Sequence, residues 1–154
     1  MDVATRLQLI REYRQGYELI ADALKHVGAQ SMDRKPSPDD WSPRQIVHHL
    51  ADSEMTGAIR LRRLLTEEKP VIVGYNEQAY AQRLYYDRPF EASLELFRSS
   101  RATTAEILDR MTKAEWRREG THTESGRYTV ETWLGTYAAH GREHAAQLLG
   151  VSHV

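Results

Sequence analysis

The chain has 154 residues, 28% of them charged and 40% hydrophobic, with a formal net charge of −1. That length suits one domain, residues 1–154, with a sizeable core, and the balance excludes disordered and fibrous classes. Near-neutrality offers nucleic acid or an anionic membrane no general attraction, and the lack of cysteine excludes disulfides, thiolate ligands and a protein thiol nucleophile.

The N-terminal stretch MDVATRLQLIREYRQ carries charges every few residues and does not read as a signal peptide. No window approaches the ~20 apolar residues of a spanning helix, so a cytoplasmic location without a membrane partner is expected. From Val3 to about Val27, Leu7, Ile10, Tyr13 (or Arg14), Tyr17, Ile20 and Leu24 recur at steps of three and four, which predicts an amphipathic helix. Gly16 costs that helix roughly 1 kcal/mol relative to Ala, a cost that close packing would offset. Gly28 is its expected stop.

Ser31 to Asp40, with Pro36 and Pro38, reads as a helix–helix connection. Ser42 as N-cap, Pro43 at the first helical position and Gln45 at the capping-box position start a second helix, running to about Glu68 before Pro70. Trp41 precedes the cap as a staple on the first turns. Val71, Ile72 and Val73 are β-branched but isolated. Asn76 to Tyr86 reads as a short helix. A third long helix runs from Pro89 to Met111 on a stripe of Phe90, Leu94, Phe97, Ala105, Leu108 and Met111, which Arg101 and Thr104 interrupt. Thr112 and Glu115 form a capping box, and Arg117 to Tyr128 reads as a small hairpin around Glu-Ser-Gly. Thr129 caps a fourth long helix, Val130 to Leu149, ending at Gly150. The fold class is all-α: an antiparallel four-helix bundle with longer middle connections.

The chemistry lies in the histidines. His140 and His144 are four apart on the last helix, so one face presents both imidazoles to a single metal ion. They flank the apolar stripe of Leu134, Tyr137, Gly141, Ala145 and Leu148. On the second helix the core seam is Ile46, Leu50, Ser53, Gly57, Leu61 and Leu64. His49 sits at the edge of that seam. His48 points away from it, toward Arg44, Asp52 and Met55, as a solvent-facing residue or a partner of the ligands. Small residues (Ser53, Gly57, Gly135, Gly141) leave room for a cavity. His49, His140 and His144 thus form a candidate three-histidine site with open positions, the pattern of a catalytic rather than a structural ion. The ordinary alternative is core imidazoles paired with Glu or Tyr. Imidazole leaves zinc, nickel, iron or another divalent metal open. Asp52, Glu54 and Glu143 read as solvated charges or partners of the ligands. HGREH is not the zincin motif, whose glutamate directly follows the first histidine. His26, His122 and His153 receive no chemistry.

W-S-P-R-Q-I-V-H-H-L-A-D-S-E (Trp41 to Glu54), followed by H-x-x-x-H-x-x-Q-L (His140 to Leu148), resembles the DinB-like superfamily, in particular its YfiT-type, bacillithiol-transferase-like members. The resemblance implies a four-helix bundle, often a homodimer, and a divalent metal, zinc or nickel foremost, held by His49, His140 and His144. Some similar sequences carry a histidine where this chain has Glu54. The activity implied is a metal-dependent thiol S-transferase, adding bacillithiol, mycothiol or glutathione to an electrophile. A metal-dependent hydrolase and a metal-binding bundle without turnover are the alternatives. Tyr137 and Trp133 lie beside the site on the last helix, with a structural role the leading reading for both.

Overall fold

The computed structural model describes residues 1–152, with side chains through residue 150, so His153 lies outside the described residues. Four long helices, α1 (Val3–His26), α2 (Pro43–Thr66), α4 (Glu91–Leu108) and α5 (Val130–Ser152), make the bundle. A short helix α3 (Glu77–Arg83) and three strands, β1 (Val71–Ile72), β2 (Glu119–His122) and β3 (Gly126–Thr129), lie in the connections. The helix starts follow their caps. Asp2 accepts from the Thr5 amide at 2.8 Å, and Ser42 and Gln45 form the expected capping box with Pro43 in the first turn. Thr129 Oγ1 accepts from the Thr132 amide at 2.9 Å. α1 ends at His26 with Val27 as its C-cap, just before Gly28, whereas α4 stops at Leu108, short of the expected Met111, which packs on the core from outside the helix.

Contacts along the helices give their directions. Arg6 meets Glu131 and Gly16 meets Gly141, so α1 and α5 run parallel. His48 meets Ser93 and Arg62 meets Thr104, so α2 and α4 also run parallel. The two pairs oppose each other: His49 faces His140 and Trp133 faces Gly57 between α2 and α5, while Tyr17 faces Phe97 and Arg14 faces Asp109 between α1 and α4. A parallel α2–α4 pair requires the chain to travel back the length of α2, and the long connection at 67–90 does this. Within it, β1 pairs parallel with β2, placing Val71 opposite Thr121 and Ile72 opposite His122. Val71 and Ile72 are therefore not isolated; their partner lies some fifty residues away in sequence, beyond any local pattern. The expected hairpin is β2–β3, turned at Gly126 with φ +77°.

The core is two apolar clusters with a charged layer between them. One cluster gathers Ile10, Leu61, Leu64, Leu108, Trp133 and Leu134 among others, and the second gathers Ile20, Ile46, Leu50, Phe97 and Leu148. Between them lies Arg101 of α4, 2% exposed, against the fully buried Glu54 of α2. Arg101 Nε donates to Glu54 Oε2 at 2.8 Å, Nη1 to the Tyr13 carbonyl at 2.8 Å, and Nη2 to the Tyr137 carbonyl. The Tyr13 hydroxyl donates to the other Glu54 oxygen, and burial first of all holds that phenol protonated far above its usual range. One guanidinium thus binds elements of α1, α2 and α5 from α4. Gly16 and Gly141 make room for it: a Cβ on Gly16 would overlap Arg101, and one on Gly141 would stand 2.7 Å from Gly16 Cα. The break in the α4 stripe at Arg101 and Thr104 is this layer, and Glu54 is a buried ion-pair partner rather than a solvated charge.

Removing one partner of a buried pair leaves an uncompensated charge, at a cost of about 3–5 kcal/mol, whereas replacing both is far milder. Arg101→Met and Glu54→Leu alone should each lower unfolding stability by about that amount, and the double variant should lose clearly less than the sum. Urea titrations of the four proteins in the cycle check this; additive losses would show that the pair does not couple the helices.

Candidate metal centre

The antiparallel crossing of α2 and α5 sets His49 opposite His140, and the next turn of α5 adds His144. His140 Nε2 lies 3.1 Å from His49 Nε2 and 3.0 Å from His144 Nε2. One ligand atom from each of the three lies within 4.8 Å of the others, with no carboxylate in the group. Three nitrogens bonded at about 2.0–2.1 Å to one ion must stand roughly 3 Å apart, so this spacing fits a shared ion.

The proton inventory fits as well. His144 Nδ1 donates to Gln147 Oε1 at 2.8 Å, which leaves its Nε2 as a lone pair aimed at His140. His140 Nε2 has two nitrogen neighbours but one proton at most, and its buried Nδ1 has no hydrogen-bond partner. Imidazole lone pairs converging in a buried cleft repel each other unless a cation stands among them. Burial, ahead of mutual repulsion, pushes the His49 pKa down to about 3 and the His140 pKa down to about 2, and burial lowers that of His144 also. All three are therefore neutral at neutral pH, the form that ligates a metal.

The surroundings differ from expectation at several positions. Gly57 and Gly141 do not open a cavity: a Cβ on Gly57 would overlap the Tyr137 ring, and Gly141 receives α1. Trp133, by contrast, meets its leading reading as a structural residue: it is fully buried, with Nε1 donating to the Gly57 carbonyl at 2.7 Å. Tyr137 stacks on Trp133 at 5.0 Å and turns its edge to His140 at 6.3 Å.

Trp41 does more than staple a helix. Its ring lies 4.3 Å from that of His49 and stacks on that of His144 at 6.5 Å, 8° from coplanar. It also walls a groove of about 410 Å³ with Lys35, Asp39, Gln45, Gln78 and Gln82, and so stands between that groove and the histidines. The only hint of this in the sequence is its position two turns before His49.

His48 is not solvent-facing but fully buried. Its Nε2 lies 3.1 Å from the Arg88 carbonyl, which can only accept, so Nδ1 accepts from Ser93 Oγ at 2.8 Å. One turn on, buried Asp52 accepts from the Tyr86 hydroxyl at 2.6 Å. These bonds clamp the segment at 84–93 onto the outer face of α2, and this cover buries a face that periodicity assigns to solvent. Glu143 is exposed, as expected of a solvated charge. His26 sits in the last turn of α1, and His122 accepts from the Glu124 amide in the sheet.

A four-helix bundle with three imidazoles converging between antiparallel helices defines a class of helical proteins organised about a histidine metal site. The chain belongs to the DinB superfamily, whose sequence profile matches residues 12–148. Among curated relatives, a protein of Oceanobacillus iheyensis named "Putative metal-dependent hydrolase" is 32% identical over 139 residues, covering 90% of this chain and 81% of the relative. A protein of the same name from Bacillus mycoides is 31% identical over 129 residues, covering 84% of this chain and 75% of its own. Among solved structures, YfiT from Bacillus subtilis, described as "a probable metal-dependent hydrolase with an unusual four-helix bundle topology", superposes with a TM-score of 0.92 at 26% identity, covering 99% of this chain and 89% of that one. A DinB-like protein from Bacillus subtilis shares the fold, with a TM-score of 0.63 at 15% identity, covering 95% and 90% of the two chains. No helix of the described residues is long and apolar enough to cross a membrane.

The depressed imidazoles make stability fall in acid. In the unfolded chain a histidine takes a proton near pH 6.5, while in the fold His49, His140 and His144 resist it. Between those values the unfolded state binds more protons, so stability is full above about pH 7 and drops by up to about 1.4 kcal/mol per pH unit for each histidine below about 6.5. Unfolding of the chelated protein by urea should show about 2–4 kcal/mol less stability at pH 5.5 than at pH 7. A flat profile would mean that the three rings protonate freely in the fold.

Proposed function

We propose that this chain is a metal-dependent thiol S-transferase, in which His49, His140 and His144 hold one divalent ion and a low-molecular-weight thiol is joined to an electrophilic carbon. The supporting observation is an all-imidazole donor set with no free carboxylate beside it. A divalent ion held by three neutral ligands keeps its full charge and an open face, and supplies Lewis acidity that favours the ionised form of a small thiol.

The chain's own residues set the conditions. Gln147 fixes the tautomer and orientation of His144. Trp41 covers His49 and His144 on the groove side, limiting water. Glu54 is spent on Arg101 and Tyr13, so it is not free to serve as a general base. A thiol needs no such base once its ionised form is favoured. The chain has no cysteine, so the thiol is an external reactant. A carbon–sulfur bond forms, the bond to the leaving group breaks, and the thiol proton passes to solvent.

A hydrolase is the second reading, favoured by the names of the relatives and of YfiT. It uses the same ion to activate water and is better served by a base that this site lacks.

The test is thiol consumption with an activated aryl halide, run beside ester hydrolysis, on zinc- and nickel-loaded protein. Thiol transfer that disappears on chelation and in His49→Ala, falling by at least about a hundredfold as for loss of a metal-ligand shell, is the expected result. Metal-dependent hydrolysis without thiol transfer would replace this reading with the second one.

A further inference from the structure

One turn along the α2–α5 cleft from the histidines lies a second polar cluster. Ser53 follows His49 by one turn on α2, and Tyr137 precedes His140 by one turn on α5. Around them gather the phenols of Tyr75 and Tyr128 and the guanidinium of Arg60. Arg60 Nη2 donates to the Val73 carbonyl at 2.8 Å, Nη1 reaches the Tyr137 hydroxyl at 3.4 Å, and the Tyr128 phenol lies beside this side chain. The guanidinium stands 5.9 Å from the centre of the Tyr75 ring.

Two features set this cluster apart. Arg60 Nε and the Tyr75 hydroxyl are both buried without a hydrogen-bond partner, although Tyr75 lies beside Ser53. And of the arginines outside the ion pairs among the described residues, Arg62, Arg88 and Arg118 included, Arg60 is the one whose buried Nε is left without a partner. Glu77 feels the charge of Arg60, but the two are not among the ion pairs of the described residues. A half-buried guanidinium ringed by phenols, with a donor left over, lacks only an anion.

We infer that Arg60, Tyr75, Tyr128 and Tyr137 form an anion subsite for the carboxylate of a reactant whose other end lies at the three histidines. This assignment rests on the proposed transferase reading for the identity of that other end. The Tyr137 ring lies 6.3 Å from that of His140 and its hydroxyl 3.4 Å from Arg60 Nη1, which puts the guanidinium roughly 10 Å from the histidines, a span equal to the rise of about two helical turns. The substrate class is therefore an acidic small molecule with its carboxylate well separated from the reacting atom. Planar bidentate pairing favours carboxylate over a neutral amide.

The experiment uses the full chain freed of metal, so that its outcome does not depend on the ion. The Arg60 Nε–H resonance is followed by ¹H–¹⁵N NMR during titration with succinate, succinamide and inorganic phosphate, and is assigned by its loss in Arg60→Lys. Expected is a saturable shift with succinate, none with succinamide, and weaker binding of phosphate. Succinate affinity, read from the remaining shifts, should fall about tenfold in Arg60→Lys, as for loss of one charge-assisted contact, and about threefold in the conservative Tyr75→Phe. No saturable shift with succinate, equal affinity in Arg60→Lys, an equal response to succinamide, or tighter binding of phosphate would overturn the assignment. Metal content of Arg60→Lys, measured alongside, should match wild type. Failure of the anion titration with normal metal content overturns the subsite alone, and absence of metal from wild type overturns the transferase reading alone.

Discussion

The fold turns on one guanidinium. Arg101 reaches from α4 into the bundle, pairs with Glu54 of α2, and donates to main-chain carbonyls of α1 and α5. Charges this deep persist only when every donor finds an acceptor. Two glycines, one on each parallel helix, let α1 and α5 approach closely enough to supply those carbonyls. The rotation of α5 is set in the same way. With the Tyr137 carbonyl turned toward Arg101, the next turns of the helix present His140 and His144 to α2.

The same interaction shapes the chemistry of the cleft. Glu54 lies five residues beyond His49 and would be the obvious carboxylate for a metal or a water molecule. Arg101 and the Tyr13 hydroxyl claim both of its oxygens, so the donor set at the histidines is imidazole alone. After burial and the other two histidines, the Arg101 charge also helps to keep His140 unprotonated. A structural requirement of the bundle thereby leaves three neutral imidazoles with no carboxylate among them, the donor set on which the proposed chemistry rests.

Much of this was legible from residues alone, where the signal is local. Ser42, Pro43 and Gln45 mark the start of α2 because a capping box needs only neighbours. His49, His140 and His144 converge as helical periodicity expects, since a ligand at the edge of an apolar stripe points into the cleft beside it. Features that depend on distant partners were not legible. His48 reads as outward-facing until the 84–93 segment covers that side of α2. Arg101 reads as a blemish in a hydrophobic stripe until Glu54 and two carbonyls surround it. Val71 and Ile72 read as unpaired until the chain returns with β2. The direction of the long crossover lies in no single window of sequence, and the Trp41–His144 stacking spans about a hundred residues of chain.

The central claim is that the three imidazoles share one divalent ion with an open face. X-ray absorption at the metal edge, on protein reconstituted with zinc or nickel, tests it directly. The account predicts about one ion per chain, three imidazole nitrogens at about 2.0–2.1 Å, and a new sulfur neighbour at about 2.3 Å when a small thiol is added. Failure to retain an ion, or a metal surrounded by oxygen with no imidazole scattering, would contradict it.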